Sequence, residues 1–173
     1  MITKIAEDVL RFSFKKFSSN CYLIKNKTMI DTGSEEARKE LVEDFKKIKV
    51  SFENVKNILL THMHFDHVGN VLLFRKAKVY ASEEEIKTFS PPFKVYPVEE
   101  FREKNFKIIK VPGHTAGSIA ILYKKILFSG DTIFDKKGFS VGRTDLKESV
   151  PEKMKESIRK LLSLDYEILC PGH

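Results

Sequence analysis

The histidines of this chain are the residues whose type and spacing could do chemistry. The sequence has five of them, and three fall within six residues as His62, His64 and His67. The other two, His114 and His173, each follow a Pro-Gly pair. Neutral imidazole is the commonest side-chain ligand for metal ions in proteins. The distribution therefore predicts a metalloprotein.

The first pair of histidines could bind one ion together. Residues two apart in an extended segment point the same way, so His62 and His64 can share an ion. His114 would complete a set of three imidazoles, which in zinc enzymes leaves one coordination position open for catalysis. This set predicts a catalytic zinc ion.

A second group of ligands predicts a second ion beside the first. Asp66, His67 and His173 would hold it, and the two carboxylate oxygens of Asp131 can bridge both ions. Two ions about 3.5–4 Å apart share a water molecule and lower its pKa towards neutrality. We assign Asp66 and Asp131 as the catalytic carboxylates, with a metal-bridging hydroxide as the nucleophile of a hydrolysis. Two Zn²⁺ ions are expected, with iron or a mixed iron–zinc pair as the alternative.

Apolar runs and helical spacings predict the elements that position these residues. Strands are expected over residues 9–14, 21–25, 28–31, 55–60, 78–81, 106–111, 118–123, 126–129 and 167–170. Helices are expected over residues 35–49, 68–74 and 151–164, the last with Ser149 as its N-cap and Pro151 in its first turn. Strands on both sides of a helix indicate an α/β or α+β layered domain.

Most candidate ligands lie just beyond the end of an apolar strand, usually at a Gly or Pro turn. The predicted strands lead into His62, His114, Asp131 and His173. Loops held by rigid strands are where sites are built, so we expect these four loops to converge.

Composition limits the class of protein. A chain of 173 residues, 42% hydrophobic and 32% charged, predicts a single soluble domain spanning residues 1–173. No apolar run is long enough to cross a bilayer, and the N-terminus is acidic where a signal peptide is basic, so we expect a cytoplasmic protein without a membrane partner. The net charge of +7 comes from lysines mixed with glutamates, which indicates solvated helix faces rather than a nucleic-acid surface. A small-molecule substrate is expected instead.

The two cysteines, Cys21 and Cys170, lie in apolar runs and are too few for a disulfide framework. We predict that both are buried thiols. Cys170 stands three residues before His173, so a metal-binding role for it stays open.

The motifs that carry these ligands resemble those of the metallo-β-lactamase-fold superfamily. Its HxHxDH motif stands here as residues 62–67. The other landmarks, in chain order, are Ile30-Asp31-Thr32-Gly33, Pro112-Gly113-His114-Thr115, Ser129-Gly130-Asp131-Thr132 and Pro171-Gly172-His173. The resemblance covers essentially the whole chain. It implies a four-layer αββα sandwich, with two mixed sheets face to face and a dinuclear metal site along one edge.

Within the superfamily, the chain is most similar to glyoxalase II (hydroxyacylglutathione hydrolase) and its single-domain relatives. Asp131 stands near the point where class B β-lactamases carry a cysteine, and residues 139–145 also fit the glyoxalase II pattern. The resemblance implies hydrolysis of thioesters such as S-lactoylglutathione. A thiolate, whose pKa is about 8.5, leaves without a dedicated general acid.

Two residues outside the ligand set receive roles at this point. The resemblance implies that Asp31 orients a ligand histidine, and the alternative is a turn residue that closes a strand. Arg143 is expected to contact an anionic group of the substrate. Its alternative is a structural salt bridge within the Gly-Arg-Thr-Asp turn.

Two other activities of the same fold stay open. A persulfide dioxygenase-like oxidoreductase would use one ferrous ion on His62, His114 and Asp131. A nuclease would take RNA or DNA as its partner, and the dispersed lysines argue against it.

The sequence ends on a predicted ligand. Two-domain glyoxalase II enzymes carry a helical C-terminal region that supplies much of the glutathione contact, so the resemblance does not extend to a preference for glutathione. A ligand at a free chain end would fray, and we therefore expect the natural protein to continue past His173.

Overall fold

The structure, a computed structural model, describes all residues from Met1 to His173. Contacts divide the chain into two compact units, Met1–Tyr80 with Phe93–Tyr96 and Ala81–Pro92 with Pro97–His173. Two β-sheets and four α-helices make the secondary structure mixed α/β, which confirms the predicted fold class. None of the helices has the length and apolar character that a bilayer span requires. That the 173 residues form a single domain stays a prediction.

Almost all of a seven-stranded sheet belongs to the first unit. Its strands lie side by side in chain order: β1 (Ile2–Ala6), β2 (Val9–Phe12), β3 (Cys21–Ile24), β4 (Thr28–Ile30), β5 (Asn57–Leu59), β6 (Lys78–Ala81) and β7 (Tyr96–Pro97). Strands β1 to β4 pair antiparallel, whereas β5 runs parallel to both β4 and β6. Parallel neighbours end at the same edge of a sheet, so the segments that follow β4 and β5 start side by side.

Helix α1 (Arg38–Lys47) anchors an aromatic cluster in the first unit. A short 3₁₀ turn, Glu35–Ala37, leads into it, so the predicted helix over residues 35–49 is present with a tighter first turn. Phe45 of α1 is buried and stacks on Phe12 and Phe52, with ring centroids 5.3 and 4.4 Å apart. Such aromatic pairs contribute about 0.5–1.5 kcal/mol beyond the area that they bury. The cluster fixes the crossover from β4 to β5.

The predicted helix over residues 68–74 is wrong. The structure has helix α2 (Phe65–Val68), and a separate 3₁₀ turn (Val71–Leu73) follows it. Asn70 stands between them, and its buried side-chain amide donates to two backbone carbonyls of the β4–α1 loop at 2.9 and 2.7 Å. Side chains that bond to the backbone compete with helical structure. Contacts from a distant part of the chain therefore end the helix early.

The second unit holds a four-stranded sheet. Its order is β11 (Ile168–Pro171), β10 (Ile126–Gly130), β9 (Ile119–Tyr123) and β8 (Phe106–Lys110). Strands β10 and β11 run parallel, and the other pairs are antiparallel. This unit also contains two helices, α3 (Glu83–Phe89) and α4 (Pro151–Leu162).

Helix α4 closes the core of the second unit. Leu161 is fully buried and Ile158 is partly buried, and both belong to an apolar cluster with Ile109, Val111 and Leu127. Each fully buried side chain of this size stabilises the fold by about 1.5–3 kcal/mol. The packing holds α4 against the sheet whose strands lead into three of the predicted ligands.

Two strands, one α-helix and two 3₁₀ turns have no counterpart among the predictions: β1, β7, α3, Phe52–Asn54 and Val98–Glu100. Both cysteines are buried, as predicted, and neither forms a disulfide. Burial, and then the charge of Asp31, raise the pKa of the Cys21 thiol well above its usual value.

Candidate metal centre

Three histidines of the first unit come together at the end of β5. The His62 ring lies 4.6 Å from the His64 ring and 4.0 Å from the His67 ring, measured between centroids. His62 and His67 are buried, and His64 is partly exposed at the N-terminal end of α2. The backbone is extended at His64 and enters α2 directly after it. The three imidazole rings of the HxHxDH segment therefore lie close to one another.

Asp31 holds this segment from the neighbouring strand. It follows β4 and is buried, and its carboxylate accepts hydrogen bonds from the amide and the hydroxyl of Thr61 at 2.8 and 2.7 Å. The same carboxylate lies 2.8 Å from Nδ1 of His67. A carboxylate on one ring nitrogen fixes the tautomer and orientation of a histidine and leaves Nε2 as the donor for a metal ion.

The backbone of α2 is also tied down. The Asp66 carbonyl accepts from the amide and the hydroxyl of Ser19 at 3.2 and 2.8 Å. The His67 carbonyl accepts from the amide and the hydroxyl of Thr32 at 2.7 and 3.0 Å. These four bonds hold the backbone that carries Asp66, whose Oδ2 lies 4.0 Å from Nε2 of His67.

In the second unit, His114 is oriented by a backbone carbonyl. Its Nδ1 lies 2.7 Å from the carbonyl oxygen of Arg143, which fixes the ring as the carboxylate of Asp31 fixes His67. The hydroxyl of Ser149 donates to the His114 carbonyl at 2.7 Å. The prediction of Ser149 as a helix N-cap is wrong, because Val150 occupies that position and the Ser149 hydroxyl is used by the His114 loop.

Asp131 lies between two histidines of the second unit. Its Oδ2 is 3.6 Å from Nε2 of His114 and 3.4 Å from Nε2 of His173. Asp131 follows β10 and His173 follows β11, and these parallel strands end together, with the Gly172 amide bonded to the Gly130 carbonyl at 2.9 Å. The three predicted loops of this unit therefore meet.

The donor atoms within each unit fit a metal ion. Two atoms that bind one ion at about 2.0–2.2 Å lie about 3.3 Å apart in a tetrahedron and at most about 4.4 Å apart. The separations of 3.4, 3.6 and 4.0 Å all fall within these limits. They are longer than a good hydrogen bond, as expected for atoms that share an ion.

Glu85 is a site-supporting residue that the sequence reasoning missed. It lies in the first turn of α3, is buried, and accepts hydrogen bonds from the hydroxyl of Thr115 and, at 3.1 Å, from the amide of Gly117. The Ser82 hydroxyl caps the same turn and donates to the Gly117 carbonyl. The loop that presents His114 is thus clamped by the start of α3.

The guanidinium of Arg143 is engaged elsewhere. It forms a two-pronged ion pair with Asp145 at 2.7 and 2.8 Å on the exposed surface. The hydrogen bonds from Arg143 lower the pKa of Asp145. The structure thus contains the salt bridge that was the alternative role for Arg143. A contact of Arg143 with substrate stays a prediction.

Replacing Asp31 by Asn tests its role. Asp31 has a positive φ of 54°, which Asn tolerates, so Asp31→Asn keeps the backbone while it removes the charge that faces His67. We expect the affinity for the ion that His67 is predicted to bind to fall by about 10–100-fold, as for other partners of ligand histidines. Competition with a chromophoric zinc chelator measures this affinity.

The matched control is Asp44→Asn. Asp44 is another buried aspartate of the first unit, but it pairs with Lys47 and the N-terminal ammonium group. We expect this variant to bind zinc as the unmodified protein does. Equal zinc affinities in both variants would contradict the role of Asp31.

Two curated relatives match nearly the whole chain. "Probable metallo-hydrolase MJ0888" of Methanocaldococcus jannaschii is 29% identical over 194 residues, which cover 95% of this chain and 92% of the relative. "Hydroxyacylglutathione hydrolase GloC" of Haemophilus influenzae is 31% identical over 193 residues, which cover 91% of this chain and 86% of the relative. The chain is therefore similar to enzymes of the kind that the motifs resemble.

Solved structures and family assignment agree with these relatives. The crystal structure of TTHA1623 in a di-iron-bound form has a TM-score of 0.78 and 30% sequence identity, and covers 94% of this chain and 91% of its own. The family model described as the Metallo-beta-lactamase superfamily matches residues 15–105 and 97–173. The chain belongs to the metallo-beta-lactamase superfamily.

Proposed function

We propose that this protein is a dinuclear metal-dependent thioester hydrolase. The observation that carries the proposal is the position of Asp131, whose Oδ2 lies within one ion's reach of both His114 and His173. A carboxylate between two imidazoles is the arrangement that a bridging ligand needs. Membership in a superfamily of metal-dependent hydrolases supports the same conclusion.

The proposed ligand set comprises the seven residues predicted from the sequence. One ion would take His62, His64 and His114, and the other would take Asp66, His67 and His173. Asp131 would bridge them. The order of these residues along the chain, and the short separations between those that share a unit, support this assignment.

Hydrogen bonds within the chain orient two of the proposed ligands. Asp31 and the Arg143 carbonyl occupy Nδ1 of His67 and His114, so both rings offer Nε2. Divalent ions held there would supply a Lewis acid that lowers the pKa of a water molecule and polarises the carbonyl of a substrate. Zinc is the proposed metal, and iron is the alternative that the di-iron form of the similar structure supports.

A thioester is the substrate class that requires the fewest further catalytic side chains. The leaving thiolate has a pKa of about 8.5 and departs without a proton donor. The similarity to a hydroxyacylglutathione hydrolase over most of both chains supports this class. Substrates such as S-lactoylglutathione are therefore the first to test.

Metal content measured together with a thioester panel tests the proposal. We expect two divalent ions per chain and hydrolysis of small thioesters. In His64→Ala, loss of one imidazole should lower kcat/KM by at least about 10²-fold, because several kcal/mol of metal-based stabilisation is at stake. The matched control is Met63→Leu, a volume-conserving change at the buried neighbouring position that we expect to keep activity.

Three results would contradict the proposal. Full activity in His64→Ala would mean that the catalytic ion is held by other residues. One iron per chain with oxygen consumed on a persulfide would favour an oxidoreductase on His62, His114 and Asp131. Salt-sensitive cleavage of RNA would favour a nuclease.

A further inference from the structure

Helix α3 contributes a buried carboxyl group to the loop that carries His114. Glu85 is only 1% exposed, and a carboxyl group at that depth needs hydrogen-bond partners. The same oxygen, Oε1, accepts from the Thr115 hydroxyl and from the Gly117 amide. One oxygen of one side chain therefore ties down both the residue directly after His114 and a second point further along the loop.

The loop approaches the start of α3 closely enough that the contact has little freedom to shift. Gly117 is buried, and a Cβ atom there would lie 2.5 Å from the backbone nitrogen of Glu85 and 2.8 Å from its Cγ. The Ser82 hydroxyl, in the same helix start, donates to the Gly117 carbonyl at 2.6 Å. Glycine at this position permits direct contact between the loop backbone and the first turn of the helix.

The contact reaches His114 through the next residue in the chain. The Thr115 carbonyl accepts from the Gly113 amide at 3.0 Å, which closes a tight turn around His114. Displacement of Thr115 therefore moves the backbone of His114, while the Arg143 carbonyl still holds the ring at Nδ1. The ring must then tilt, and Nε2 leaves its position 3.6 Å from Oδ2 of Asp131.

We infer that Glu85 is a positioning residue for the proposed metal centre, and that it keeps Nε2 of His114 aimed at its ion. It acts through Thr115 and Gly117. The inference rests on the proposed function in one respect, the assignment of His114 as a metal ligand. It assigns part of the affinity for metal to α3, a helix that carries none of the seven proposed ligands.

Glu85→Met and Glu85→Gln separate the hydrogen-bond acceptor from the bulk of the side chain. Methionine has a similar length and favours helices, but it has no oxygen to accept from Thr115 and Gly117. We expect Glu85→Met to bind one of its two zinc ions about tenfold more weakly, the lower end of the range for groups that hold a ligand histidine directly. Glutamine can place its amide oxygen where Oε1 lies, so Glu85→Gln should keep the zinc affinity of the unmodified protein.

Glu84→Met is the matched control. Glu84 also lies in the first turn of α3, but it is exposed and its carboxylate lies 3.4 Å from Nζ of Lys110 on the surface. Both methionine variants remove a carboxylate from the end of the helix where carboxylates interact favourably with the helix dipole. We expect Glu84→Met to bind zinc as the unmodified protein does. An equal loss of zinc affinity in both variants would overturn the inference, because the charge at the helix start would then be responsible.

A purely structural role for Glu85 would lower Tm without changing how the folded protein binds zinc. Zinc affinity is therefore measured by competition with a chromophoric chelator, at a temperature where circular dichroism shows that each variant is folded. Unchanged zinc affinity in folded Glu85→Met overturns the inference, and so does an equal loss in Glu85→Gln. If Glu85→Met does not fold, Thr115→Val decides, since it removes the hydroxyl that donates to Glu85 and should also weaken the binding of one zinc ion.

Failure of the inference and failure of the proposed function give different results. If the protein cleaves no thioester, the proposed function fails, while the difference in zinc affinity between Glu85→Met and Glu84→Met still decides the role of Glu85. If thioesters are cleaved and both variants bind zinc equally well, the proposed function stands and Glu85 is not a positioning residue.

Discussion

Asp131→Asn is expected to lower kcat/KM by about 10³-fold or more, because it removes the charge shared by both proposed metal sites. The carboxylate Oδ2 lies 3.4–3.6 Å from two imidazole nitrogens. An amide has the same size but presents only one oxygen, and its NH₂ group would face one of those histidines. We therefore expect metal content to fall from two ions per chain to one or none. Metal analysis and thioester kinetics on the same preparation measure both effects.

Asp165→Asn serves as the control for Asp131→Asn. Asp165 is an exposed aspartate of the same unit that pairs with Lys125 on the surface. It makes no contact with a predicted ligand, so activity and metal content should both stay at the level of the unmodified protein. Two bound ions and full activity in Asp131→Asn would show that Asp131 is not a bridging ligand.

The candidate ligands could be proposed from the sequence because their chemistry lies in their own side chains. His62, His64 and His67 are close in the chain, and a short segment suffices to bring them together. The strands before His114 and Asp131 also carry a local signal, since apolar runs end there at glycine turns. Prediction of these positions needed no knowledge of the tertiary packing.

The supports of these ligands could not be predicted in the same way. The Arg143 carbonyl that orients His114 belongs to the backbone, so residue type gives no signal for it. The Ser149 hydroxyl looks like a helix cap until the His114 carbonyl, 35 residues away, competes for it. Likewise the buried amide of Asn70 ends a helix through contacts made about 36 residues earlier in the chain. In each case a long-range contact overrides a local preference.

The sequence does contain a signal for helix α3, which was not predicted. Ser82 and Glu85 have the spacing of a helix start, in which a serine side chain caps the third residue of the helix and a glutamate stands there. That pattern could have located α3. It could not have shown that the Glu85 carboxylate accepts hydrogen bonds from Thr115 and Gly117, because those contacts depend on how the His114 loop folds.

Gly142→Ala should both destabilise the protein and disturb the proposed metal site. A Cβ atom on Gly142 would lie 2.0 Å from the Asp131 carbonyl oxygen and 3.1 Å from Nδ1 of His114. The first contact is with backbone and cannot be relieved by a side-chain rotation, so the strand end that carries Asp131 must move. Overpacking of this kind costs roughly 3 kcal/mol, which corresponds to a fall in Tm of about 6–12 °C for a chain of this size.

Displacement of the segment around Gly142 should also move the proposed metal ligands His114 and Asp131. Gly142 precedes Arg143, whose carbonyl holds His114, so a shift of this segment changes the distance between His114 and Asp131. We expect Gly142→Ala to lose at least one ion per chain even at temperatures where it is folded. Val141→Ala, at the partly exposed preceding position, adds no atom near Asp131 and should keep both ions and nearly the original Tm. If Gly142→Ala melts and binds zinc like Val141→Ala, then the close approach of Gly142 to Asp131 does not position the site.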